Sequence, residues 1–100
     1  MQDEQDFIQL VYKTEIIEIY KYLRQHNTFP NVFKDSKGYT ALHAASLRGS
    51  YSLFEFLITY TKRNCKSWIP VIQEWVNEKN NDGFTALHFA AYRGKLVSYK

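Results

Sequence analysis

The sequence predicts an all-α solenoid of helix–turn–helix units, and three observations carry that prediction. The segment Gly38-Tyr39-Thr40-Ala41-Leu42-His43-Ala44-Ala45-Ser46-Leu47-Arg48-Gly49 recurs as Gly83-Phe84-Thr85-Ala86-Leu87-His88-Phe89-Ala90-Ala91-Tyr92-Arg93-Gly94. The offset is 45 residues, with eight identities in twelve aligned positions, and such self-similarity marks a chain built by stacking one supersecondary unit on the next. Within each copy, Leu42 and Ala45, then Leu87 and Ala90, fall three apart and share one helical face. Residues 2–28 lack the repeated segment yet carry apolar side chains at helical spacing.

Each residue type in the repeated segment has a physical reason to recur. Gly38 and Gly83 follow polar residues where a tight turn is needed, and glycine accepts positive φ without steric cost. Thr40 and Thr85 precede the apolar run, where a hydroxyl can accept from an unpaired amide of the first helical turn, worth about 1 kcal/mol. The small neighbours Ala41, Ala44, Ala86 and Ala91 let helices approach closely. Gly49 and Gly94 are expected to end the short helix.

The pattern Gly-x-Thr-Ala-Leu-His-x-Ala, present in both copies, resembles the signature of ankyrin repeats. The usual Thr-Pro-Leu-His reads Thr-Ala-Leu-His here, a common variant. The resemblance implies units that each consist of a hairpin-like finger followed by two antiparallel helices. It also implies that His43 and His88 are structural, each ring bonding across the finger backbone.

Read in order, residues 1–33 form a degenerate capping repeat, because terminal repeats meet water on one face and are atypical. Asp3, Glu4 and Asp6 suit the positive end of a first helix dipole, and Phe7, Leu10 and Val11 give that helix its apolar face. Thr14 with Glu15 is expected to start a second helix carrying Ile16, Ile17, Ile19, Tyr20 and Leu23. Residues 27–37, with Pro30 and no helical period, read as the first finger. The second repeat, 34–75, has an inner helix over 40–48 and an outer one from Ser50 to about Tyr60, where Leu53, Phe54, Phe56, Leu57 and Ile58 give nearly continuous apolar cover.

The ankyrin period is about 33 residues, so a spacing of 45 implies an insertion of about twelve residues between the second and third repeats, within 59–75. Pro70 is tolerated in a first helical turn, so Ser67 can cap a short extra helix running to about Val76, with Trp68, Ile72 and Trp75 roughly on one face. Val76-Asn77 matches the Val-Asn that family members carry ahead of a finger. The third repeat, 76–100, is incomplete: Leu96, Val97 and Tyr99 only begin an outer helix. An array ending there exposes apolar surface, which predicts a continuing chain, a covering partner or self-association.

Composition sets limits. One hundred residues fit a single domain, and a formal charge of +3 is too mild to argue for nucleic acid. The lone Cys65 excludes an internal disulfide and suits a reducing compartment. No apolar run approaches the roughly 20 residues of a membrane span, and the acidic start is unlike a signal peptide. A cytoplasmic, soluble chain without direct membrane insertion is the expectation.

Competing chemistries are weak. Zinc wants three or four convergent ligands, and His26 and Cys65 do not fall at ligand spacing from His43 or His88. Cys65 as a nucleophile needs an acidified thiol and a base. The basic knot Lys62, Arg63 and Lys66 reads first as a solvated face, and the Trp68–Trp75 pair as packing. No phosphate loop, nucleophile elbow or paired-carboxylate arrangement is present, so no catalytic residue, metal or cofactor is expected.

The resemblance therefore implies a non-catalytic protein–protein interaction module that binds a protein or peptide through finger tips and the concave inner-helix surface. Carried over by position, the partner-binding candidates are Ser36, Lys37, Tyr39, Leu47 and Arg48 in one repeat, and Asn81, Asp82, Phe84, Tyr92 and Arg93 in the next. Aromatic residues and arginine are prominent among them, the types enriched at interface hot spots. The alternative is an N-terminal regulatory or substrate-recruiting domain of a larger enzyme or channel, such as an ankyrin-bearing palmitoyltransferase or kinase. Anion or nucleic-acid binding through Arg48, Arg93 and the 62–66 cluster is a weaker third reading.

Overall fold

The computed structural model describes residues 2–97, with side chains over residues 7–92. Its helices are α1 Gln2–Lys13, α2 Ile16–His26, α3 Ala41–Arg48, α4 Tyr51–Asn64, α5 Trp68–Val76 and α6 Ala86–Val97. Among the described residues there is no strand, and the extended pairing is a bridge between Lys34 and Thr40. Helices α1, α3 and α6 stack side by side, with α3 in the middle; α2 backs α1, α4 backs α3, and α5 lies against α4. This is the all-helical solenoid that the repeated segment predicts.

Helix α3 occupies the centre because its residues are small enough to be covered on several sides. Residues Ala41 to Ser46 are all buried, and three of the six are alanines, so neighbours approach its backbone closely. Phe7, Ile8 and Val11 of α1 meet it from one side, Ile19 and Leu23 of α2 and Leu53, Leu57 and Tyr60 of α4 complete the core, and Trp75 closes it beneath α5. Phe7 stacks on Phe33 at 4.4 Å and lies 5.3 Å from Tyr22, which ties the first finger to both helices before it. Tyr20 of α2 meets Phe56 and Tyr60 of α4 edge-on.

Helix ends explain most differences from expectation. Thr14 does not start α2: its hydroxyl donates to the Leu10 carbonyl at 2.8 Å and closes α1, leaving Glu15 at the uncapped start of α2. Asn27 ends α2 in the left-handed region at φ 50. Gly49 ends α3 as expected, at φ 78, and the Ser50 hydroxyl accepts the Leu53 amide to begin α4. Helix α4 runs a turn beyond Tyr60, because Thr61 and Asn64 return their side chains to the Leu57 and Tyr60 carbonyls. Gly94 does not end its helix; α6 continues through it to Val97. An isolated glycine inside a helix costs only about 1 kcal/mol against alanine, too little to force a break. Helix α5 spans the expected residues, but Ser67 makes no side-chain cap. The side chains of Asp3, Glu4, Asp6, Leu96, Val97 and Tyr99 lie outside the described residues.

His43 joins the two signature-bearing units. The Thr40 amide donates to His43 Nδ1 at 3.1 Å while the His43 amide donates to the Thr40 hydroxyl, a reciprocal cap with histidine in the usual Glu or Gln position. His43 Nε2 meets the Phe84 carbonyl of the next finger at 2.8 Å. An amide can only donate and a carbonyl can only accept, so the ring is the neutral tautomer with its proton on Nε2. Burial pushes the His43 pKa below its ordinary value, against smaller opposing effects from the Phe84 bond, Glu78 and Asp35.

The fingers touch at Gly38. A Cβ there would stand 2.7 Å from Asn81 Oδ1 and 2.9 Å from Asn81 N, whereas one on Gly83 meets nothing within 4 Å. Both glycines have positive φ, at 84 and 88. Gly83→Ala should therefore cost only the left-handed strain, about 1–2 kcal/mol. Gly38→Ala adds overpacking against backbone and should cost at least about 1 kcal/mol more. Urea unfolding of the two variants measures the difference, and equal losses would refute the close approach.

A second prediction follows from His43. Its folded pKa is depressed, so the unfolded chain binds the extra proton first as pH falls. Stability from this site is complete above the unfolded value near 6.5 and declines as pH drops from there through the folded pKa. Urea midpoints should fall between pH 7.5 and pH 5, and His43→Gln should flatten that slope while lowering stability at pH 7.5.

Candidate partner-binding surface

The two finger tips are built alike. Asp35 Oδ1 accepts the amides of Lys37 and Tyr39, both at 2.9 Å, and Asn80 Oδ1 accepts those of Asp82 and Phe84 at 3.0 and 2.9 Å. In each finger the first residue's amide also donates to the carbonyl four residues on, Asp35 to Tyr39 and Asn80 to Phe84. A short acceptor side chain followed by a glycine at positive φ suffices to set this turn. Successive tips are then stitched together, since the Asn81 amide donates to the Lys37 carbonyl at 3.0 Å and Asn81 Nδ2 to that of Ser36 at 3.3 Å. The first finger is also tied to the segment after α5 by the Lys34–Glu78 ion pair.

Of the candidate residues, Ser36, Lys37, Tyr39 and Leu47 come together. They line one open cleft of about 360 Å³ with Asp35, Gln9 and Tyr12. Ser36 and Lys37 are exposed, while Tyr39 and Leu47 are half-buried at its wall. Gln9 and Tyr12 come from α1, which carries no signature, so positional carry-over misses them. Their i, i+3 spacing beside the buried Phe7, Ile8 and Val11 was the available signal. Burial, with Tyr39 and Asp35 adding to it, raises the Tyr12 pKa, which keeps its hydroxyl protonated and able to donate.

An aromatic row continues from the cleft. Tyr39 stacks nearly parallel on Phe89 at 5.9 Å, and Phe89 lies 5.7 Å from Phe84. Phe89, absent from the sequence-derived candidates, is the link. It stands where the earlier copy has the buried Ala44, and that small-to-large difference between copies marked it. Phe84 is 46% exposed and Tyr92 64% exposed; Asp82 is also open to solvent. Asn81 is exposed but already serves the stitch between tips.

Arg48 sits elsewhere. It is half-buried, and its Nη1 donates to the Val11 and Thr14 carbonyls at 2.8 and 2.5 Å, satisfying the end of α1. The side chain of Arg93 lies outside the described residues. His43 has both ring nitrogens occupied by backbone, and among the described residues no three His, Cys, Asp or Glu side chains group to hold a metal ion. Among those same residues no helix is long and apolar enough to cross a membrane.

Comparison with known proteins adds a direct finding. Residues 17–58, covering α2, the first finger, α3 and the first half of α4, match the family model described as ankyrin repeats (many copies). A search of the curated proteins finds no match. Ankyrin repeats are generally protein–protein interaction modules and typically non-catalytic. Residues 17–58 are thus similar to ankyrin repeats, and the doubled signature and the stacked helical fold agree with that likeness.

Proposed function

We propose that this chain is a non-catalytic recognition module that holds a protein or peptide segment along its finger tips and concave face. The observation that carries the reading is the convergence of Ser36, Lys37, Tyr39 and Leu47 with Gln9 and Tyr12 on one cleft, continued by the Tyr39–Phe89–Phe84 row. The cleft offers a donor in Tyr12, a cation in Lys37, a carboxylate in Asp35 and apolar wall in Leu47 and Tyr39. Such a mixed lining suits an extended segment whose backbone and side chains are read together. The units 1–33, 34–75 with α5 as an insertion, and 76–100 are the repeats of this reading, in a cytoplasmic protein. The same surface would recruit a substrate or regulator if the module belonged to a larger enzyme or channel.

The face of α6 supports a second contact. Leu42 and His43 of α3 are fully buried, yet Leu87 is 54% exposed and His88 is open to solvent. With Phe84 and Tyr92 beside them, this surface favours self-association. Light scattering at high concentration should show dimers or larger species that dissociate on Leu87→Asp; a strictly monomeric chain would refute it.

The cleft is tested by selecting binders from a displayed random-peptide library against the purified chain. Tyr39→Ala, and separately Tyr12→Ala, should weaken the selected peptides by at least about tenfold, the scale of aromatic anchors at interfaces. Circular dichroism confirms that each variant stays folded. Unchanged affinity in folded variants would sink the reading.

A further inference from the structure

The corner between α4 and α5 has chemistry that the concave face does not use. Lys62 and Arg63 end α4, Lys66 lies in the turn, and all three are exposed. Residues 56–73 contain these three cations and no acid. Among the described residues the ion pair found is Lys34–Glu78, so none of the three is neutralised by a carboxylate. Lys62 and Arg63 also complement the α4 dipole, which accounts for two charges but not for Lys66.

An apolar element projects at the same corner. Ile69 is 55% exposed, Pro70 is exposed, and Trp68 is half-buried with Lys62 Nζ at 4.7 Å from its ring centroid. On the other side of α5, Trp75 is buried in the core, so the helix is anchored at one end and presents Ile69 at the other. Arg24 extends the basic edge, since it lines a cleft with Asn64 at the end of α4. None of Lys62, Arg63, Lys66, Trp68 or Ile69 lines that cleft, the Tyr12 cleft or the one between the first finger and α5. Ile69, Pro70 and the three cations are exposed together at this corner.

We propose that this corner docks the protein peripherally on an anionic lipid surface. Ile69 and Pro70 enter the interfacial layer, Trp68 rests at headgroup depth, and Lys62, Arg63 and Lys66 meet the lipid phosphates and carboxylates. A nucleic acid would use the cations but has no use for a projecting isoleucine, and Lys62 Nζ already lies over the Trp68 ring on which a base would stack. A peptide partner would be held better by a concave surface. Docked this way, the protein keeps its cleft free, because Gln9, Tyr12, Asp35, Ser36, Lys37, Tyr39 and Leu47 belong to other elements.

The test is co-sedimentation of the full chain with phosphatidylcholine vesicles, with and without phosphatidylserine. The chain should bind only the anionic vesicles. Each cation near such a surface raises partitioning about fivefold, so Lys62→Gln with Arg63→Gln and Lys66→Gln should weaken it about 100-fold. Ile69→Ser, which keeps the charge, should weaken it about tenfold. Tryptophan emission should shift to the blue on binding, and Trp68→Phe should abolish the shift, because Trp75 is buried in both states. Absence of binding to phosphatidylserine vesicles by the folded chain would overturn the proposal. So would binding indifferent to Ile69→Ser, or equal affinity for a short RNA, either of which makes the corner a general polyanion site.

Discussion

His43 commits both ring nitrogens to backbone groups of two different units, the Thr40 amide in its own and the Phe84 carbonyl in the next. The cap on α3, the spacing of the two fingers and the position of the Tyr39–Phe89–Phe84 row all depend on that ring. A neutral imidazole suits the task because one nitrogen accepts while the other donates, across a span that a hydroxyl could not bridge. Protonation would put a hydrogen on Nδ1 facing the Thr40 amide, two donors opposed in a buried site. The depressed pKa is the titration counterpart of that geometry.

The close approach at Gly38 and the stitch from Asn81 follow from the same joint. Once His43 draws the Phe84 carbonyl in, the tips lie near enough for Asn81 to reach the Ser36 and Lys37 carbonyls. Only a residue without a side chain leaves room there, since a Cβ on Gly38 would collide with Asn81 backbone. The proposed recognition surface is thus assembled from backbone turns whose mutual position is fixed by hydrogen bonds, while the side chains facing solvent remain free to vary.

Local chemistry was readable from the residues, and long-range chemistry was not. The turn, the threonine cap and the α3 boundaries depend on residues within a few positions of one another, and repetition displays each twice. The role of Arg48 depends on carbonyls 34 and 37 residues upstream, in a unit that lacks the signature, so nothing adjacent marks it. Gln9 and Tyr12 are similar: their helical face is readable, but the finger they meet is not. Thr14 shows the limit of cap preferences, because the same hydroxyl that can open a helix can instead bond back to the carbonyl four residues earlier. Gly94 and Gly49 occupy equivalent positions, yet only Gly49 is followed by a serine that caps the next helix, and only there does the helix stop.

The account is tested most directly by long-range proton–nitrogen NMR of the His43 ring at neutral pH. A single neutral tautomer, protonated at Nε2 and unprotonated at Nδ1, with a slowly exchanging Nε2 proton, is the predicted result. A ring that averages between tautomers, or exchanges its proton as fast as free histidine, would contradict the joint on which the stacked fingers and their surface depend.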